Sequence, residues 1–208
     1  MTGAQGSRWV SSRGREISRK PADERWADIL NVSARMFAEQ GYAATSLQHI
    51  AEELGILKGS LYYYIASKDD LLYEVIRTVY AAGVASFQAA AAADGPVLDR
   101  LRAAISGHVG YLIDNITATT VYLHEYDRLS KERRAALNEF DYADALRRLI
   151  LEGQGDGTLR TDLDATVASL AALGAANWVY RWYREGSVDP QAIAHQMAEI
   201  TVSGLSAR

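Results

Sequence analysis

Two lysines bracket three consecutive tyrosines in the stretch KGSLYYYIASK, Lys58 to Lys68. A phenol supplies a hydroxyl donor for a phosphate oxygen and an apolar ring for a sugar or a thymine methyl. A lysine supplies a cation, and Gly59 permits close approach of a flat surface. On helical spacing Leu61 and Ile65 turn inward, which leaves Lys58, Gly59, Ser60, Tyr62, Tyr63 and Lys68 facing outward or along the edge. Three adjacent tyrosines do not fit one core face. Taken alone, the stretch also admits the plainer reading in which the tyrosines wrap a core and the lysines are simply solvated.

A second set of candidates interrupts otherwise apolar faces in the rest of the chain: His108, Tyr111, Tyr122, His124, Tyr126, and Asn177, Trp178, Arg181 and Trp182 within NWVYRWYREG. Trp178 and Trp182 share a face at four-residue spacing, with Arg181 beside Trp178. An aromatic wall with one guanidinium suits an amphipathic anion, such as an acyl chain ending in carboxylate or a coenzyme A thioester. Alternatively, the tryptophans belong to a core or a dimer interface and Arg181 pairs with an acidic neighbour.

Catalytic patterns are missing. The histidines at 49, 108, 124 and 195 form neither His-x-x-x-His nor Glu-x-x-His, and there is no G-x-S-x-G and no phosphate-cradling glycine loop. His124, Glu125 and Asp127 do not share a helix face. With no cysteine, a disulfide framework, a thiolate zinc site and a thiol nucleophile are all excluded. The expectation is therefore a non-enzyme, with no catalytic residue, metal or cofactor.

The elements that must position these residues read as helices throughout. Prolines number three, Ala and Leu are abundant, and apolar residues recur at three and four positions. Trp26, Ile29, Leu30, Ser33, Phe37 and Gln40 trace a first helix from Ala22, ended by Gly41. Thr45 and Ser46 offer N-caps for a second, closed by Gly55. A third runs from about Lys58 to Ile65, and SKDD at Ser67 resembles a capping box opening a long fourth. Further helices are expected at about 97–115, 119–129, 131–152, 164–184 and 190–203, with Asp162 or Asp164 capping the penultimate one. Asp189 and Pro190 open the last. The fold class is all-α, with about nine helices.

Composition fits a folded, cytosolic chain: 49% apolar, 23% charged, no span-length apolar run and no apolar leader. The net charge of −4 hides an asymmetry. Residues 1–68 hold nine Lys/Arg against seven Asp/Glu, so any affinity for phosphate resides in the first third. The polar start, with Arg8, Arg13, Arg15, Arg19 and Lys20, is either a loose terminus or a basic arm for DNA. The expected division is a flexible arm at 1–21, a helix-turn-helix domain at 22–70 and a larger helical domain at 71–208.

Over roughly Arg25 to Arg77, the combination FAEQGYAATSL, IAEELGI and KGSLYYYIASKDDLL resembles the DNA-binding domain of the TetR family of bacterial transcriptional regulators. The resemblance implies a dimer on a palindromic double-stranded operator, acting as a repressor released by a small effector. It places Thr45 and Ser46 at a helix start facing phosphate, Lys58 and Gly59 at base edges, Tyr62, Tyr63 and Tyr64 on sugar and phosphate, and Lys68 on phosphate. It also implies that the remaining helices hold the effector and dimerise. Leu57 departs from the family, which commonly has a small hydroxyl cap there, and Ile65 stands where phenylalanine is usual. NWxxRWY is similar to family members controlling lipid, aromatic-acid or steroid breakdown, which points to an acyl-CoA or hydrophobic-acid effector. The homodimer is expected through the last two helices, where Ala168, Leu170, Ala171, Leu173, Gly174 and Ala175 permit close packing. The competing expectation is a non-catalytic helical bundle or signalling protein without DNA binding.

Overall fold

The computed structural model describes residues 21–137 and 142–207. The basic stretch from Arg8 to Lys20 lies outside the described residues. Helix α1 (Ala22–Gln40) carries Asp23 and Glu24 in its first turn, where they complement the helix dipole. It stops at Gly41, whose φ of 84° is open to glycine and strained for other residues. Helix α2 (Leu47–Glu53) is capped by Ser46, whose side chain accepts from the His49 amide. After a turn through Gly55 at φ 64°, α3 (Lys58–Leu61) is a single turn.

The expected continuation of α3 to Ile65 does not form. Leu57 at its N-cap makes no side-chain bond, and the three successive aromatics are modest helix formers. Tyr63 and Tyr64 close on Ser60 and Leu61 with three-residue turns instead. Ser67 then opens α4 (Lys68–Ala91), accepting from the Asp70 amide in the manner of a capping box.

Helices α5 (Val97–Asp114) and α6 (Ile116–Glu125) follow, then a 3-10 turn at Tyr126–Arg128, α7 (Lys131–Leu137) and α8 (Tyr142–Gly155). Helix α9 (Ala165–Asn177) is capped by Asp164, and α11 (Pro190–Leu205) by Asp189. Between them, the expected single helix to about residue 184 is broken. The chain tightens at Trp178, where the Arg181 amide reaches the Trp178 carbonyl, and resumes as the short α10 (Val179–Trp182). Among the described residues, β-structure is limited to one bridge between Leu159 and Ser206.

Two cores share α4. Its N-terminal half, with Leu71, Leu72, Val75 and Ile76, packs on Ile29, Phe37, Ile50 and Leu61. That first core is completed by Val121, Leu129 and Leu137, which come from α6 and the segment beyond it. Phe87, farther along α4, belongs to the second core with Leu101, Val109, Leu146, Ile150, Val179 and Val202. Burial at roughly 25 cal/mol per Å² of apolar surface holds both halves of α4 against their cores. One continuous helix therefore joins the two cores.

Candidate nucleic-acid interface and effector cavity

The KGSLYYYIASK segment separates by burial. Leu61 and Ile65 are sealed in the first core, while Tyr62 is 51% and Tyr63 93% exposed. Leu57 is 80% exposed and leaves the first turn of α3 without a side-chain cap. Lys58 extends over the Tyr62 ring, 5.9 Å from its centroid. Tyr64 stacks on Trp26 of α1 at 6.0 Å and an interplanar angle of 7°, which ties the segment's end to the first helix. Gly59 and Ser60 are exposed beside Lys58 on the same short turn.

Lys68 does more than present a charge. Its Nζ donates to the Tyr42 and Thr45 carbonyls at 2.8 Å each and sits 4.2 Å from the Tyr42 ring centroid. An ammonium has three donors, so one remains for an outside acceptor. The Tyr42 hydroxyl donates to Asp69; burial, then that bond, pushes its pKa up. Thr45 is enclosed, and its hydroxyl donates to the Gly41 and Met36 carbonyls at 3.0 and 3.3 Å. Its side chain therefore braces the turn before α2, and Ser46 is the hydroxyl that lies at the surface of that helix start.

Where the two cores meet, a cavity of about 360 Å³ opens among α4, α5, α6, α8 and α9. His108, Tyr111, Tyr122, Tyr126 and Asn177 line it together with Tyr80, Thr119 and Tyr142. The rings brace one another edge to face: Tyr80 with Tyr122 at 5.6 Å and with Tyr142 at 5.7 Å, and Tyr122 with Tyr126 at 5.5 Å. Tyr111 donates its hydroxyl to the Val79 carbonyl at 2.8 Å, joining α5 to α4. His108 Nε2 lies 2.9 Å from Asn177 Oδ1. Burial holds the imidazole below its usual pKa, with the Asn177 bond opposing, so it is neutral at pH 7. Burial likewise raises the Tyr122, Tyr142 and Tyr111 phenols, which stay protonated.

Four of the candidates lie off this wall. His124 is exposed and packs on Tyr180 at 5.3 Å. Trp178, Arg181 and Trp182 are exposed because the tight turn at Trp178 rotates α10 so that Val179 faces inward. Arg181 sits over the Trp178 ring at 5.9 Å. Conversely, Tyr80, Thr119 and Tyr142 were not singled out from the sequence. Tyr80 follows Ile76 at core spacing, and only the hydroxyl of Thr119 within ITATTVYL hinted at a polar wall.

On α9, Ala168 is buried and Leu173 half-buried, whereas Leu170, Ala171, Gly174 and Ala175 are exposed. With Val167, and with Ile200 at 73% exposure on α11, they form an uncovered apolar face. Among the described residues, no helix is long and apolar enough to cross a membrane.

Comparison with known proteins matches residues 29–75 to the bacterial regulatory proteins of the tetR family and residues 94–205 to the tetracyclin repressor-like C-terminal domain. The chain is 29% identical over 196 residues to the HTH-type transcriptional repressor KstR2 of Rhodococcus jostii, covering 89% of this chain and 96% of that one. The structure of the ketosteroid transcriptional regulator KstR2 of Mycobacterium tuberculosis superposes with a TM-score of 0.84 at 26% identity, covering 90% and 98%. The structure of AibR in complex with isovaleryl coenzyme A and operator DNA gives a TM-score of 0.74 at 27% identity, covering 88% and 98%.

Proposed function

Because the chain belongs to the TetR family of bacterial transcriptional regulators, we propose that it is a cytoplasmic homodimeric repressor that reads a palindromic operator and lets go when an amphipathic effector, such as an acyl-CoA, binds. The observation that carries DNA reading is the exposure of Tyr62 and Tyr63 beside Lys58 on a turn whose other side is locked in the core. Residues 22–70 are the DNA-reading part and 71–208 the effector and dimer part. In this reading Lys58, with Gly59 and Ser60, approaches base edges; Tyr62, Tyr63, Tyr64, Lys68 and Ser46 hold sugar and phosphate. One short recognition helix spans few base pairs. Two of them, about 34–36 Å apart across a twofold axis, read a palindrome. The apolar face of α9 and α11 supplies that axis.

Two links support control of the DNA-reading part by the cavity. Tyr80 lines the cavity on the same α4 whose first turns pack on the first core. Tyr126 lines it too, and the segment after it clasps the start of α4: Arg128 lies 5.9 Å over the Tyr42 ring, and Arg133 donates to Asp70 and, at 2.7 Å, to the Asp69 carbonyl. An effector that spreads these helices changes the spacing of the recognition helices, provided it favours one spacing over the other. AibR, which was crystallised with isovaleryl coenzyme A and operator DNA, supports the thioester class. A cavity of about 360 Å³ admits an acyl group and leaves the far bulkier nucleotide of coenzyme A outside.

The test is a DNA titration of the full chain against its own upstream region over a salt series. Binding that weakens steeply and linearly in log salt supports operator binding through phosphate contacts. Absent or salt-insensitive binding overturns it.

A further inference from the structure

Leu57, Lys58, Gly59 and Ser60 are exposed one after another where the tyrosine segment begins. The first of them is a leucine at 80% exposure. It serves the fold in neither of the ways open to its position: it belongs to neither core, and at the N-cap of α3 it has no polar group to hold the first-turn amides. Its backbone, by contrast, is fixed. The Leu57 carbonyl accepts from the Ser60 amide at 2.8 Å, and Ile56 and Leu61 on either side both pack in the first core. An anchored backbone therefore holds an isobutyl group in water beside Lys58. Scattered apolar residues are ordinary on a surface, but this one opens the run that Lys58, Gly59 and Ser60 continue toward base edges. Every base pair lines the major groove with hydrogen-bonding groups, and the one apolar group there is the thymine C5-methyl. A leucine over polar base edges strips them of water without replacing the bond, whereas a leucine over a methyl buries apolar surface on both sides.

We propose that Leu57 determines specificity: in each half-site its side chain covers the C5-methyl of a thymine in the major groove, alongside the base pair that Lys58 approaches. The inference rests on reading this segment as the one that contacts DNA, and it adds a base and the residue that selects it. The contribution is apolar. It owes nothing to phosphate, so it does not fade with salt as the lysine contacts do.

The experiment is fluorescence anisotropy of the full chain on a duplex of its own upstream region, made once with thymine and once with uracil throughout. Uracil keeps every hydrogen-bonding group of thymine and lacks only the methyl. The wild type is expected to bind the thymine duplex more tightly. In Leu57→Ala that preference shrinks by about fourfold for each half-site, the worth of one buried methyl, while the slope of log affinity against log salt is unchanged. Leu57→Ser supplies the missing cap and so raises Tm, yet it binds the thymine duplex more weakly and loses the same preference. Leu57→Ser binding the thymine duplex at least as tightly as the wild type overturns the inference, and so does a thymine preference equal in the wild type and Leu57→Ala. Salt-sensitive wild-type binding with either of those results sinks this inference alone. Wild-type binding that is absent or salt-insensitive on both duplexes sinks the DNA reading itself, and this inference with it.

Discussion

Among single residues, the side chains proposed to face DNA divide by what they can read. A phenol on sugar and phosphate is indifferent to sequence, whereas a lysine at a base edge is not. Tyr63→Ala is expected to weaken binding to operator and random DNA alike, by roughly 1.5–3 kcal/mol, the worth of one hydrogen bond to a charged phosphate. Lys58→Ala is expected to lose more on the operator; equal losses on both DNAs, measured by anisotropy, would remove its base-reading role. His108 makes a prediction about pH. Its folded pKa lies below the ordinary 6.5, so the unfolded chain takes up the proton first and stability falls as pH drops below about 6.5. Tm measured from pH 8 to 5 should decline at the acid end, and His108→Phe should flatten that part of the decline. The partner of His108 was not legible from sequence. Asn177 stands far from it along the chain, and only the packing of α5 against α9 brings the two together.

At the scale of elements, the helix boundaries that local chemistry controls could be read directly. Ser46, Ser67, Asp164 and Asp189 cap because a short polar side chain reaches the first-turn amides whatever lies beyond. Gly41 and Gly55 end helices because their positive φ suits glycine. The early end of α3 and the break at Trp178 were hidden for the opposite reason. Nothing in LYYYI or ANWVYRW forbids a helix outright: the uncapped start at Leu57 and three successive aromatics only weaken one, and Leu61, Ile65 and Val179 are buried where the chain turns. Packing governs Gly83 in the middle of α4. A Cβ there would meet the Tyr142 hydroxyl at 2.8 Å and the Tyr111 ring at 3.0 Å, two walls of the cavity. Gly83→Ala gains about 1 kcal/mol of helix propensity and loses about 1–3 kcal/mol to overpacking. Stability should change little or drop slightly, while the rings move and effector affinity falls. Unchanged effector affinity in a titration would show that Gly83 does not set the cavity's shape.

For the whole molecule, reading a palindrome needs two copies. The uncovered face of Val167, Leu170, Ala171, Gly174 and Ile200 is of the small, apolar kind that lets helices approach closely. Leu170→Glu, which sets like charges against each other across a twofold axis, should shift the chain to monomer in sedimentation. Operator binding should then fall well beyond the effect on random DNA, since each half-site is gripped alone. Fold class, and the division of KGSLYYYIASK into buried Leu61 and Ile65 and exposed Tyr62 and Tyr63, were legible because each depends on spacing within a few tens of residues. The cavity was legible only in part: His108, Tyr111, Tyr122, Tyr126 and Asn177 stand out as polar breaks in apolar faces, whereas Tyr80, Thr119 and Tyr142 join them only through the packing of several helices. The measurement that tests the central claim most directly is operator occupancy, followed by anisotropy at fixed salt, as a panel of acyl-CoA thioesters is added to the pre-formed complex. Saturable release by a thioester at concentrations that leave random-DNA binding unchanged is the predicted result; full operator occupancy at saturating thioester, with the thioester shown to be bound, would contradict the account.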